Sequence, residues 1–202
     1  MMMAARGRPR AFDKDEALRQ AMHVFWAKGY QETSMADLIA AMDLSPTSIY
    51  AAFGSKEGLF QAVIEFYSRT EGSGIWENVA TAPTAMQAIE HVLTSTAKAF
   101  TKGGSSRGCM IVLAAPQSEG AHPAICDMLK AKRVENIKRL QERFEQAVTD
   151  GELPDGTDCN GLANYFVTVQ HGISIQARDG ASRATLLAVA DHAMAAWDRL
   201  VE

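Results

Sequence analysis

Thr47, Ser48 and Tyr50 sit within an eight-residue stretch that opens on Ser45-Pro46 and closes on Phe53-Gly54. Small hydroxyl-bearing side chains on so short a helix suit one chemistry, hydrogen bonding to base edges and phosphates deep in a major groove. A longer side chain among them would hold the helix away; Ala51 and Ala52 do not. The elements around this stretch supply a second chemistry. Helix starts expected at Thr33, Pro46 and Lys56 would each leave unpaired backbone N–H groups facing outward, ready to donate to phosphate oxygens.

The elements that must position these groups are legible from their punctuation. Asp13 suits a helix cap, with Glu16 three residues on, and the first helix runs to about Lys28 with Leu18, Ala21, Met22, Phe25 and Trp26 on one face. Gly29 ends it. Thr33 or Ser34 caps a second helix whose inner stripe is Leu38, Ile39 and Met42. Asp43-Leu44-Ser45 makes a tight turn, and Pro46 takes the first position of the third helix, where no intrahelical donor is needed. Leu38, Ile39, Leu44, Ile49 and Phe53 are spaced to hold the third helix across the second, a helix-turn-helix. Ser55 caps a fourth helix, which continues to about Arg69.

Residues 11–60 resemble the DNA-binding domain of TetR-type (TetR/AcrR) transcriptional regulators. The strings that carry the resemblance are Thr33-Ser34-Met35-Ala36-Asp37-Leu38-Ile39-Ala40, then Leu44-Ser45-Pro46-Thr47-Ser48-Ile49-Tyr50, then Phe53-Gly54-Ser55-Lys56-Glu57-Gly58-Leu59. Two positions depart from the pattern. Asp43 stands where the turn usually has Gly, and Ala52 where an aromatic residue or His is common. Asp tolerates a left-handed backbone, so the turn survives. The resemblance implies a DNA-binding set of Arg8, Arg10, Thr33, Ser45, Pro46, Thr47, Ser48, Tyr50 and Lys56. In it, Thr33 and Lys56 meet phosphates and Thr47, Tyr50 and Ser48 meet bases and flanking phosphates; the arm is similar in composition to a homeodomain arm, which implies a minor-groove role for the two arginines. It also implies three regions: a flexible basic arm at 1–10, the helix-turn-helix domain at 11–60, and a helical effector-binding and dimerisation domain at 61–202.

The second half reads as helices as well. Pro83-Thr84 opens one that ends near Lys102, and Gly103 to Ser106 is a loop. Met110 to Ala115 is a short buried helix, Pro123 opens a long helix to Thr149, and Asp158 to Arg178 is a helix without internal charge. Ser182 caps the last helix, which reaches the C-terminus. Stripes of the last two helices make a candidate dimer interface of Phe166, Val169, Gly172, Ile173, Leu186, Ala190, Ala193 and Trp197, in a four-helix arrangement. A monomer with two ordinary core helices is the alternative. Met86, Ile89, Leu93, Phe100, Met110, Ile125, Met128, Leu129, Tyr165 and Phe166 are candidates to line an apolar ligand cavity, with simple core the alternative.

Composition excludes several classes. The chain has 20 basic and 24 acidic residues among 202, a net charge of −4, so it is not a uniformly basic nucleic-acid binder. The first ten residues, with three arginines, are the positive stretch. Cys109, Cys126 and Cys159 are odd in number and widely spaced, which argues for reduced thiols in a cytoplasmic protein and against a disulfide framework or zinc finger. His122 and Cys126 lie four apart, but no further ligands accompany them, so no metal is expected. Cys159 to Ala177 is long enough to suggest a membrane span, yet Asn160, Asn164, Gln170, His171 and Gln176 oppose one. No G-x-S-x-G, H-E-x-x-H or P-loop lysine is present, and neither an enzyme nor a cofactor is expected.

The resulting expectation is an all-α, homodimeric regulator, a repressor released from a palindromic operator by a small apolar effector. A constitutive helix-turn-helix regulator without effector and a helical partner-binding protein remain as alternatives.

Overall fold

The computed structural model describes residues 12–102, 107–114 and 122–202. Arg8 and Arg10 lie outside the described residues, as does the glycine–serine loop. The described residues form eleven helices and no strand, in keeping with the all-α expectation. In chain order they are α1 Lys14–Glu32, α2 Met35–Met42, α3 Pro46–Phe53, α4 Lys56–Arg69, α5 Ser73–Trp76, α6 Ala85–Phe100, α7 Met110–Leu113, α8 Pro123–Thr149, α9 Cys159–Arg178, α10 Arg183–Met194 and α11 Trp197–Val201. None is long and apolar enough to cross a membrane.

Most starts are set by one side chain. Asp13, Ser34, Ser45, Ser55, Thr84, Asp158 and Ser182 each accept a backbone N–H from the first turn of the helix they precede. Three details differ from the sequence reading. Helix α1 does not stop at Gly29: that residue leaves helical geometry (φ 76°, ψ 173°) and the chain resumes for one more turn through Tyr30 to Glu32. The last helix breaks at Ala195 and Ala196 into α10 and α11, which turns Trp197 back into the core. The short α5 has no side-chain cap and left no local signal.

Two aromatic clusters mark the two halves of a continuous core. In the first, Phe60 lies 4.9 Å from Phe25 and 5.0 Å from Tyr30, both edge-on, which pins α4 to α1. In the second, Trp197 lies 6.1 Å from Phe144 and 5.9 Å from Phe166, joining α11 to α8 and α9. The halves are tied by bonds that end helices. Arg178, at the end of α9, donates to the carbonyls of Trp26 (3.2 Å) and Ala27 (3.3 Å) just before the kink of α1. The Trp26 indole donates to the carbonyls of Arg107 and Gly108. Gly108 is required here: its φ is +63°, and a Cβ would lie 2.5 Å from the Ser174 carbonyl oxygen.

Candidate DNA interface and interior cleft

The outward face of α3 is built by three local devices. Ser45 accepts from the Ser48 N–H (3.2 Å), Pro46 supplies a preset first φ, and Gly54 (φ 76°) returns its N–H to the Tyr50 carbonyl (2.9 Å). The preceding turn rests on Asp43 in the left-handed region (φ 49°), as its residue type allows. Ile49 is buried against the core, so its neighbours Thr47, Tyr50, Ala51 and Ala52 face out. Tyr50 is 48% exposed, a large aromatic surface left uncovered by its own chain. Ser48 is half-buried and shares a hydrogen bond of 2.9 Å with Ser45.

The flanking phosphate candidates fare differently. Thr33 is 1% exposed and its hydroxyl donates to the Gly29 carbonyl (2.6 Å), so that side chain holds the kink of α1 rather than facing solvent. Ser34, not Thr33, caps α2, in a reciprocal box with Asp37. Asp37 also takes Lys28 at 2.6 Å; that bond first, then those from Ser34, hold its carboxyl well below the usual range. The Lys56 ammonium lies 4.5 Å above the Tyr30 ring. Burial pushes its pKa down while Glu57, Glu32 and Asp37 draw it up, so the lysine is half-sheltered and ringed by carboxylates. Burial, and then Glu57, raises the Tyr30 phenol to about 12.

The expected ligand residues do not surround a cavity. Ile89, Leu93, Phe100, Met110, Ile125, Leu129 and Phe166 are packed core, Met128 is half-buried, and Met86 and Tyr165 point to solvent. Among them Met110 alone borders a described void, of about 100 Å³, too small for an effector. Apolar type and helical spacing identify residues that leave water. They do not separate those that fill space from those that border it.

The larger cleft, about 470 Å³, lies elsewhere, where the C-terminal half of α4 faces α5, α7, α8 and α9. It is within the size range of small-molecule sites. Tyr67, Ser68 and Arg69 of α4 form one side, Ile75 and Trp76 of α5 another, and Lys132, Glu135, Asn136 and Arg139 of α8 the rim. Cys109, Ile111 and Gln170 close its inner end. The Tyr67 hydroxyl donates to the Cys109 sulfur at 3.5 Å, and burial raises both the phenol and the thiol, so the two stay neutral. A thiol so held is a poor nucleophile. At the rim Glu135 pairs with Lys132 (3.3 Å) and Arg139 (2.5 Å). A further hollow of about 410 Å³ continues past Trp76 to Arg143, whose guanidinium pairs with Glu152 at 3.0 Å. Among these lining residues, Gln170 had a readable signal: it occupies the same buried stripe of α9 as Phe166, Ile173 and Ala177. Tyr67 and Trp76 had none, because α5 and its approach to α4 are tertiary features.

The expected dimer residues are likewise mostly interior. Phe166, Ile173, Leu186, Ala190, Ala193 and Trp197 are buried within the single chain. Val169 and Gly172 are half-buried, and a Cβ at Gly172 would meet nothing within 4 Å among its own chain's atoms. The open face of α9 is instead Tyr165, Thr168, Gly172 and Ile175, the last 49% exposed. That of α10 is Ala184, Ala188 and Asp191 with half-buried Leu187. Among the described residues no group of three His, Cys, Asp or Glu is placed to hold a metal ion.

Comparison with known proteins is consistent across both halves. Residues 17–63 match the family model described as bacterial regulatory proteins, tetR family, and residues 85–193 match the tetracyclin repressor-like C-terminal domain. The HTH-type transcriptional repressor ComR of Escherichia coli K12 is 32% identical over 98% of this chain and 95% of its own. BdcR of the same strain, also an HTH-type transcriptional repressor, is 28% identical over 97% and 94%. A solved complex of the TetR family regulator CifR, a cysteine mutant with 26 bp double-strand operator DNA, is 43% identical. It superposes with a TM-score of 0.89 over 94% of this chain and all of that one.

Proposed function

The chain belongs to the TetR family of bacterial regulatory proteins, and we propose that it is a cytoplasmic, homodimeric repressor that leaves a palindromic operator when a small molecule fills the α4–α8 cleft. The observation that carries the reading is the uncovered face of α3, with Tyr50 and Thr47 outward on a helix whose two ends are locally fixed. Thr47, Ser48 and Tyr50 contact bases and adjoining phosphates in the major groove, and the capped N-termini of α2, α3 and α4 direct N–H groups at the backbone. Lys56 adds one cation from α4, and Arg8 and Arg10 reach the minor groove. Thr33 contributes through its backbone, its hydroxyl being committed to Gly29.

The domain division at 11–60 and 61–202 places the boundary inside α4, and this is mechanically apt. One end of α4 carries Lys56 and Gly58 beside α3; the other carries Tyr67, Ser68 and Arg69 on the cleft. Gly58 has no room for a Cβ, which would strike the Phe53 carbonyl, so α4 starts in close contact with the end of α3. A ligand that displaces the far end of α4 therefore turns the reading helix. Dimerisation through the open faces of α9 and α10, with small residues Gly172, Ala184 and Ala188 allowing close approach, fixes the spacing of two reading helices. Half-sites about one helical turn apart then accept only one α4 orientation. The ligand must bind the non-DNA form more tightly, or nothing shifts.

The test is fluorescence anisotropy with palindromic duplexes from upstream of the protein's own gene. Binding that tightens as salt falls, and that weakens by about tenfold to a hundredfold in Tyr50→Ala, is the expected result. Equal binding by wild type and Tyr50→Ala, or none at low salt, overturns the reading.

A further inference from the structure

We infer that the inner end of the cleft takes an uncharged ligand group offering a hydrogen-bond donor and acceptor side by side, such as a lactam or primary amide, paired with the side-chain amide of Gln170. The inference rests on the effector reading of the cleft and gives that effector a chemical class.

Gln170 is 2% exposed and lines the cleft, yet its side-chain amide makes no hydrogen bond to any described residue. The amide is not sealed off from the cleft as the Tyr30 hydroxyl and His171 Nε2 are from solvent, so whatever fills the cleft is what pairs with it. It sits in the core stripe of α9, where Leu or Ile would pack without cost, so its amide is best explained by what enters the cleft. An amide presents N–H and C=O in one plane, and a ligand with both groups adjacent satisfies the two at once.

The surroundings decide the charge of that group. Tyr67 and Cys109 beside it are buried and neutral, and the Tyr67 hydroxyl is already committed to the Cys109 sulfur. The cations that border the cleft stand at its rim, where Lys132 and Arg139 share Glu135 and Arg69 pairs with Asp15 at 2.8 Å. The cation near the inner end, Arg133, is already engaged by the Ile111 carbonyl at 3.0 Å, so a carboxylate driven there would lose its water for little counter-charge, whereas an amide loses little. The remaining inner walls, Ile75 and Ile111, suit an apolar body. The expectation of a wholly apolar effector is thereby refined to an apolar body with one neutral polar end.

The experiment uses the full-length protein and three probes of similar size: ε-caprolactam, with donor and acceptor; cycloheptanone, with acceptor only; and cyclohexanecarboxylate, an anion. Binding is followed by the side-chain ¹⁵N amide resonances in wild type and in Gln170→Met, which keeps the volume and loses both polar groups. Because Gln170→Met could alter packing, its circular dichroism and melting curve are recorded, and the wild-type probe ranking stands independently of it. The lactam should bind about tenfold tighter than the ketone, the carboxylate weakest. It should shift the Gln170 amide resonance, and lose its advantage in Gln170→Met. Equal binding of lactam and ketone, tightest binding by the carboxylate, or an unchanged lactam preference in Gln170→Met overturns the inference, as does no binding of the lactam at tens of millimolar. Anisotropy with operator DNA in the same solutions separates the two readings. A preferred lactam that leaves DNA affinity unchanged keeps the ligand class and sinks the effector role.

Discussion

Helices α3 and α9 both carry polar side chains among apolar ones, and they put them to opposite uses. On α3 the hydroxyls of Thr47 and Tyr50 face outward, and the caps and buried side chain that orient them lie within ten residues: Ser45, Pro46, Ile49 and Gly54. On α9 Gln170 and Ser174 face inward, and what the inner side of that helix meets is distant in sequence. Ser174 accepts the Cys109 N–H at 2.7 Å from 65 residues away, Arg178 reaches α1, and Gln170 opens on a cleft walled by α4 and α8. The reading surface is a local construction and the sensing surface a tertiary one. A regulator benefits from that division, because a ligand can rearrange long-range contacts while the shape presented to DNA stays intact.

Four perturbations probe this difference, beginning with the largest. Gly108→Ala should cost about 2–4 kcal/mol, since the residue holds a positive φ and its new Cβ would meet both the Ser174 carbonyl and Leu113. Urea unfolding measures this, and a cost under 0.5 kcal/mol would show that the sensing half is not held through that contact. Ile175→Glu, on the open face of α9, should leave the fold intact but raise the dimer dissociation constant about a hundredfold, equivalent to about 2.7 kcal/mol. Sedimentation velocity would detect it; an unchanged dimer would place the interface on another face. Ser34→Ala removes one cap of α2 and should lower stability by about 1 kcal/mol. Its effect on DNA affinity should be small, because α3 keeps its own cap.

The smallest effect concerns His171, whose Nε2 is buried without a partner. Burial, then Arg133, lowers its pKa below the ordinary 6.5. The unfolded chain therefore takes up the proton first as pH falls. The stability tied to neutral His171 is full above about pH 6.5 and is lost as pH drops toward the folded value. The melting temperature should fall by a few degrees between pH 7.5 and 5.5, and by less in His171→Asn. A larger fall in the variant would assign the pH dependence to other groups.

The same division explains which features could be read before folding. Helix boundaries from Asp13 to Ser182 were largely legible, because a cap and the N–H that it accepts are two or three residues apart. The outward set on α3 followed from Ile49 and Phe53 being the apolar positions of a two-turn helix. The kink at Gly29 was half-legible: glycine marked the break, but the turn beyond it depends on Tyr30 packing between Phe60 and His122. Phe166, expected at both the cavity and the dimer face, packs inside its own chain between Phe144 and Trp197.

By itself the sequence determined the helical order, the capped reading helix and the family to which the chain belongs, since each depends on residue types at fixed short separations. Only the tertiary structure decided which buried residues border empty space, which face of α9 is left open and which amide opens on the cleft. Periodicity tells whether a side chain leaves water, but whether it meets another side chain or a void is settled by helices that arrive from elsewhere in the chain.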